Sequence, residues 1–229
     1  MTASLENPIQ HLFDQLTTAM GDSPVLHAMR AVPRELFISP DLRHRAYDNR
    51  PLSIGHGQTI SQPTMVARMT LALTLRGDER VLEIGAGSGY QAAILGELLP
   101  FGHVVAVERV PDLVAFARRN LAACGIENVD VVAASDALGA PDHGPYDAIL
   151  VSAGAPSVPQ SLIAQLKPNG RLVIPIGDRL GQMLTLVQIS GDRRVTRRLT
   201  ECRFVPLLGP EAWPEDFWEG LPLLPAVEP

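Results

Sequence analysis

The chain has 229 residues, 46% of them hydrophobic, and a formal net charge of −6: enough for one α/β domain with an extension, and the wrong sign for a nucleic-acid footprint. No apolar run reaches the roughly 18 residues of a membrane span, and Met1 to Glu6 lack the basic-then-apolar pattern of a signal peptide. Cys124 and Cys202 stand alone and the histidines show no ligand spacing, which predicts no metal, no redox motif and a cytoplasmic protein whose cysteines are small core residues.

Leu5 to Met20 predicts an amphipathic helix with Ile9, Leu12, Phe13, Leu16 and Met20 on one face, ended by Gly21. Pro24 starts a second, short helix over Val25 to Val32. Asp41 to Pro63 is polar, rich in turn formers and too long for an ordinary connection, so it reads as a functional loop. Pro63 to Leu73 is a helix, and Arg80 to Ile84 is a strand of continuous apolar character broken by Glu83.

Gly85-Ala86-Gly87-Ser88-Gly89 follows that strand at once, and a helix opens at Tyr90. Strand, glycine turn and helix form the first unit of a nucleotide-binding α/β fold, in which glycines let the backbone approach a ligand and the helix offers unpaired N–H groups. A dinucleotide site prefers Gly-x-Gly-x-x-Gly or Ala. Here the third glycine comes one residue early, the sixth position is Tyr90, and Glu83 repels a pyrophosphate while suiting an ammonium-bearing ligand. His103 to Glu108 is a second strand ending in an acid, the position that binds a ribose hydroxyl pair in this fold.

Pro111 to Cys124 reads as a helix, Asn128 to Ala134 as a strand, Tyr146 to Ser152 as a strand and Pro159 to Leu166 as a helix. Arg171 to Ile176, Met183 to Ile189 and Val195 to Arg203 read as the antiparallel end of the sheet. Residues 210–229 carry Glu211, Glu215, Asp216, Glu219 and Glu228 and several prolines, so they read as a peripheral acidic tail, with Trp213 and Trp218 as the residues able to dock.

The Glu-x-Gly-x-Gly-x-Gly pattern resembles motif I of S-adenosylmethionine-dependent methyltransferases. More specifically, Ala46-Tyr47-x-Asn-x-Pro51-Leu52-x-Ile54-Gly55-x-Gly57-Gln58-Thr59-Ile60-Ser61-x-Pro63 resembles the signature of the protein-L-isoaspartate O-methyltransferases. Val32-Pro33-Arg34-Glu35-Leu36-Phe37, Gly87-Ser88-Gly89-Tyr90-Gln91-Ala92-Ala93 and Phe204-Val205-Pro206-Leu207-x-Gly209 extend the likeness over nearly all of residues 5–209. It implies a Rossmann-like class I fold, a mostly parallel sheet flanked by helices. Residues 1–62 then form N-terminal helices and a substrate loop, and 63–209 a cofactor-binding core of the same domain. Two stretches depart from the family pattern in the expected cofactor pocket: Ala86, usually Thr, and Ser135-Asp136-Ala137, usually Gly-Asp-Gly.

The resemblance implies cofactor contacts from Glu83, Gly85, Ala86, Gly87, Ser88, Gly89, Glu108, Arg109, Asp136 and Ala137. It implies a substrate cleft from Tyr47, Ile54, Gln58, Thr59, Ser61 and Ser152, with Ser61 as the catalytic hydroxyl that orients a carboxylate. Ser61 also reads as a helix N-cap, two residues before Pro63. The implied reaction is methyl transfer from S-adenosyl-L-methionine, leaving S-adenosyl-L-homocysteine, to the free carboxylate of L-isoaspartyl residues in damaged proteins and peptides. The implied enzyme is a monomer with no nucleic-acid or membrane partner. A paralogue esterifying a small molecule or modified peptide, and a cofactor-binding protein without turnover, fit the same residues.

Overall fold

The computed structural model describes residues 7–191 and 193–218, the last two by backbone only. Its centre is a seven-stranded sheet in the order β5-β4-β3-β6-β7-β8-β9. The strands are β3 (Arg80–Ile84), β4 (His103–Glu108), β5 (Val129–Ala133), β6 (Tyr146–Val151), β7 (Leu166–Gly177), β8 (Gln182–Ser190) and β9 (Arg193–Cys202), with β1 (Leu52–Gly55) and β2 (Gln58–Ile60) forming a separate hairpin. β5, β4, β3, β6 and β7 run parallel, and β8 and β9 are antiparallel to their neighbours.

Parallel strands covered on both faces read as near-continuous apolar runs, and β3, β4 and β6 do. Side chains alternate across the sheet: Val81 packs with Met69, Leu73, Leu95 and Val104, whereas Leu82 packs with Val105, Ile149, Leu162 and Leu172. The covering helices are α3 (Pro63–Leu73), α4 (Tyr90–Leu98), α5 (Pro111–Ala123) and α6 (Gln160–Ala164). The N-terminal helices α1 (Pro8–Met20) and α2 (Pro24–Ala31) bury Leu12, Phe13, Leu16, Leu26 and Met29 in a cluster shared with Tyr90, Ala93 and Ile94 of α4. Asn7 and Ser23 cap α1 and α2 through their side chains, and Gly21, at φ 77°, ends α1 as expected. Leu5 lies outside the described residues.

Three stretches differ from the sequence reading. The polar segment from Asp41 to Pro63, read as a loop, contains regular structure: a 3₁₀ turn over Pro40–Arg45 leads to the β1–β2 hairpin. His56 and Gly57, both at positive φ (54° and 69°), join its strands, as a tight turn matched to strand twist requires. Helix α6 stops at Ala164, because Leu166 already pairs with Tyr146; the register then jumps to Ala148↔Arg171, so residues 167–170 bulge from β7. Residues 210–218, expected as the start of a peripheral tail, turn back onto the domain. Gly209 N donates to the Trp213 carbonyl and Trp213 N to the Leu207 carbonyl, and the Glu211 carboxylate accepts from the N–H groups of Gln160 and Ser161 at the start of α6. Residues 219–229 lie outside the described residues.

Candidate active site

Strand order reverses between β3 and β6, since β4 lies on one side of β3 and β6 on the other. Ligands of such sheets bind outside the strand carboxyl ends at that point. A cavity of about 660 Å³ opens there.

Its floor is the glycine turn. The N–H groups of Gly85 and Ala86 both reach the Val107 carbonyl, at 2.9 and 3.0 Å, which folds the turn over the end of β4. Gly85, Gly87 and Gly89 all have positive φ, a region L side chains rarely enter. At Gly89 a Cβ would also stand 3.1 Å from the Ala117 methyl of α5, so the third glycine is needed for helix packing and does not line the cavity.

Glu108 closes this floor. One carboxylate oxygen accepts from Gly87 N at 2.8 Å, and the other from Arg109 N at 2.8 Å and Val110 N at 2.9 Å. The acid therefore fixes the glycine turn and the entry to α5, and still presents lone pairs to the cavity it lines.

Glu83 is 1% exposed, and neither of its side-chain oxygens has a hydrogen-bond partner among the described residues. Burial first, and the neighbouring Glu108 second, push its carboxyl well above the usual range. A buried acid left unpaired is costly, and here it faces the cavity. A bound ammonium would pair it, so these residues fit the amino-acid end of S-adenosylmethionine.

The walls come from three further places. Ser152 and Ala153 follow β6, with Ser152 N donating to the Ile84 carbonyl at 2.8 Å. Ser135, Asp136 and Ala137, in the exposed loop after β5, form another side, so the two departures from the family pattern, this loop and Ala86, face the same space. Val205 to Pro210 and Glu215 complete it, and Glu215 pairs with Arg109 at 2.7 Å.

Gln58, Thr59, Ile60 and Ser61 line the remaining side. The α3 N-terminus is capped from a distance: Asn49 Oδ1 accepts from Thr64 N at 3.1 Å, and the N-cap residue is Gln62. The capping alternative for Ser61 is therefore displaced. Ile54 lies outside the lining but abuts the turn, 3.2 Å from where a Gly87 Cβ would stand. Tyr47 also lies outside it, its hydroxyl donating to Glu35. His56 stands 3.6 Å from Asp112 at the start of α5.

Arg34 carries no site role in the sequence reading, yet it holds this wall. It is 1% exposed, donates from Nε to the Ala46 carbonyl at 2.9 Å and from Nη2 to the Ser61 carbonyl at 2.8 Å, and lies over the Tyr90 ring at 4.8 Å. The signal for it is a charged residue inside the run from Val32 to Ile38. Tyr90, Gln91, Val66, Met69 and the 205–210 stretch are further lining residues the sequence reading did not assign. Among the described residues no cluster of His, Cys, Asp and Glu suits a metal, and no helix is long and apolar enough to cross a membrane.

The parallel sheet, the glycine turn and the buried acid at the strand ends define a Rossmann-like, S-adenosylmethionine-dependent methyltransferase of class I. The family model described as protein-L-isoaspartate(D-aspartate) O-methyltransferase matches residues 7–212, and the chain belongs to that family. A protein-L-isoaspartate O-methyltransferase of Hyperthermus butylicus is 49% identical over 201 residues, 83% of each chain. A solved protein-L-isoaspartate O-methyltransferase superposes with a TM-score of 0.79 at 32% identity, over 88% of this chain and 66% of that one. A Plasmodium falciparum structure, named as such an enzyme in complex with S-adenosyl-L-homocysteine, has a TM-score of 0.76 at 28% identity, over 87% of this chain and 98% of that one.

Proposed function

We propose that this protein initiates repair of damaged polypeptides by esterifying the free carboxylate of L-isoaspartyl residues, with Ser61 as the group that orients that carboxylate. The observation that carries the reading is the shared cavity: the unpaired Glu83 and the Gly85–Gly87 turn lie on one side, the Gln58–Ser61 edge on the other. S-adenosylmethionine, when bound, supplies a methyl group made electrophilic by its sulfonium. The attacking carboxylate is ionised at neutral pH, so the chain needs no general base. Its task is alignment and exclusion of water, and alignment of two reactants contributes about 7–11 kcal/mol when the geometry is good. Glu83 holds the cofactor's ammonium, Glu108 its ribose, and the loop with Asp136 and Ala137 flanks its base. Ser61 donates a hydrogen bond to the carboxylate without protonating it, beside Gln58, Thr59 and Ser152. We assign the monomer in the cytoplasm as the working form. Methyl transfer to paired isoaspartyl and aspartyl peptides tests the reading. Turnover of the first alone supports it; turnover of neither, with S-adenosyl-L-homocysteine still bound, rejects it.

A further inference from the structure

Strand β9 closes one side of the sheet and pairs with β8 alone among the described residues, so among them its outer backbone N–H and C=O groups have no strand partner. Residues 193–198 are all exposed. Five arginines and one glutamate fall between residues 193 and 203, in a chain whose net charge is −6. Arg193, Arg194, Arg197 and Arg198 form no salt bridge among the described residues; Arg194 reaches Gln160 Oε1 at 3.2 Å. Alternation along the strand sends Arg193 and Arg197 to one side of the edge and Arg194 and Arg198 to the other.

We propose that the outer edge of β9 is a docking strip for an acidic, extended segment of the protein substrate, lying beyond the residue to be methylated. An open backbone row matches a polypeptide, which adds to it as a further strand while its side chains meet those of the edge. Arginines on both sides suit carboxylates, since the guanidinium fork binds them in bidentate fashion. A second copy of this chain is a poor occupant: two such edges would bring arginine against arginine, the arrangement that keeps edges apart. A nucleic acid has no backbone to match the row, and the protein's overall negative charge repels it.

The strip also points to the site. β9 runs antiparallel to β8, as β7 does, so its carboxyl end lies at the cavity end of the sheet, and the chain passes from Cys202 to Val205 on the cavity wall. From Arg198 to Val205, extended chain at about 3.3 Å per residue covers roughly 23 Å. An acidic block about seven residues from the isoaspartate reaches the strip; a block two residues away does not.

The inference rests on the isoaspartyl reading, and the test separates the two. One isoaspartyl peptide is compared bare, with an acidic block at the seven-residue spacing, with that block at the two-residue spacing, and with a serine block. At low salt the distant acidic block is expected to lower KM about tenfold with kcat unchanged, the effect vanishing at high salt, as for several exposed charge pairs acting together. The variant Arg193→Ser/Arg194→Ser/Arg197→Ser/Arg198→Ser should lose that advantage and keep the bare peptide's kcat and KM. Should it fold poorly, Arg193→Gln/Arg197→Gln and Arg194→Gln/Arg198→Gln should each lose part of it. Equal KM for acidic and serine blocks, or an advantage that survives in folded variants, overturns the strip. So does competition by a single-stranded oligonucleotide where the acidic peptide gives none. If the bare peptide is not methylated, the substrate reading fails instead, and anisotropy of a labelled acidic peptide without isoaspartate still decides docking: arginine-dependent binding supports it, and none refutes it.

Discussion

Arg34 Nη2 donates to the backbone carbonyl of Ser61 at 2.8 Å, while Nε of the same guanidinium holds Ala46 O at 2.9 Å. One buried fork thus ties both ends of the hairpin segment to the 3₁₀ turn over Arg34–Phe37 that follows α2. Lysine cannot span two carbonyls in that geometry. Arg34→Lys should lower kcat/KM for an isoaspartyl peptide about tenfold while leaving S-adenosyl-L-homocysteine affinity near that of the parent. If it acts through Ser61, the loss should nearly vanish in a Ser61→Ala background, as coupled neighbours are non-additive. Additive losses would assign Arg34 a separate role.

Ser61 itself is tested by two substitutions. Loss of one positioning hydrogen bond to a charged group costs about 1–3 kcal/mol, so Ser61→Ala and Ser61→Gly should each reduce kcat/KM roughly ten- to hundredfold, with thermal stability nearly unchanged. Full activity in Ser61→Gly would remove the catalytic assignment.

If Glu83 pairs the cofactor's ammonium as proposed, binding should be coupled to protons. Its carboxyl is raised, by burial and then by Glu108, so the ligand-free protein holds a proton that the unfolded chain releases near the ordinary value of about 4.3. Glu83 should then weigh least against the ligand-free fold below that pH, and its unfavourable contribution should grow as pH rises toward the raised folded value. An ammonium favours the ionised acid, so binding S-adenosyl-L-homocysteine should expel a proton, visible as a buffer-dependent enthalpy in calorimetry. Glu83→Gln should abolish the proton release and weaken S-adenosyl-L-homocysteine, while adenosine, which lacks the ammonium, binds as before.

Truncation after Gly209 removes Glu211 from the start of α6 and Glu215 from Arg109. The melting temperature should fall by about 2–4 °C for each kcal/mol lost, and S-adenosyl-L-homocysteine should bind more weakly. Unchanged values in both measurements would mean that the 210–218 segment rests on the domain without supporting it.

At the opposite end of the sheet, Glu79 accepts from Arg76 N, Gly77 N and Arg171 Nη2. Burial opposes its ionisation, but the backbone N–H groups and Arg171 outweigh burial and hold its pKa below the usual range. The stability it confers is present above the unfolded carboxylate pKa and lost as pH falls through the lower folded value. Glu79→Gln removes the charge opposite Arg171, which keeps its bonds to the carbonyls of Leu73, Thr74 and Asp147, and should cost about 1.5–3 kcal/mol, the range for a hydrogen bond to a charged group, with kcat of the folded fraction intact. A thermal scan near neutral pH checks it.

The core strands were legible because their signal is local. Arg80–Ile84 and His103–Glu108 form at the bounds the sequence indicates, each a buried apolar run ending at a polar turn. The β1–β2 hairpin was not, since strands of four and three residues are too short to display alternation, and Gly55, His56 and Gly57 read as plain loop. Glu83 and Glu108 stood out as acids at the ends of apolar strands. The bond that Glu108 accepts from Gly87 N did not, because Gly87 lies 21 residues away. Arg34 was hidden for the same reason: its carbonyl partners are 12 and 27 residues distant.

The ties at the base of the hairpin segment bear on how the site meets unrelated sequences. Besides Arg34, Asn49 accepts from Thr64 and its carbonyl from Gln62 Nε2. Ordering a backbone costs about 1–2 kcal/mol per residue, and these bonds place that cost in folding, before any peptide arrives. Affinity for the peptide is then not drained by ordering the wall it meets. On the proposed reading, a preformed wall of this kind needs only modest contacts of its own, so it would accept varied residues immediately beside the damaged one.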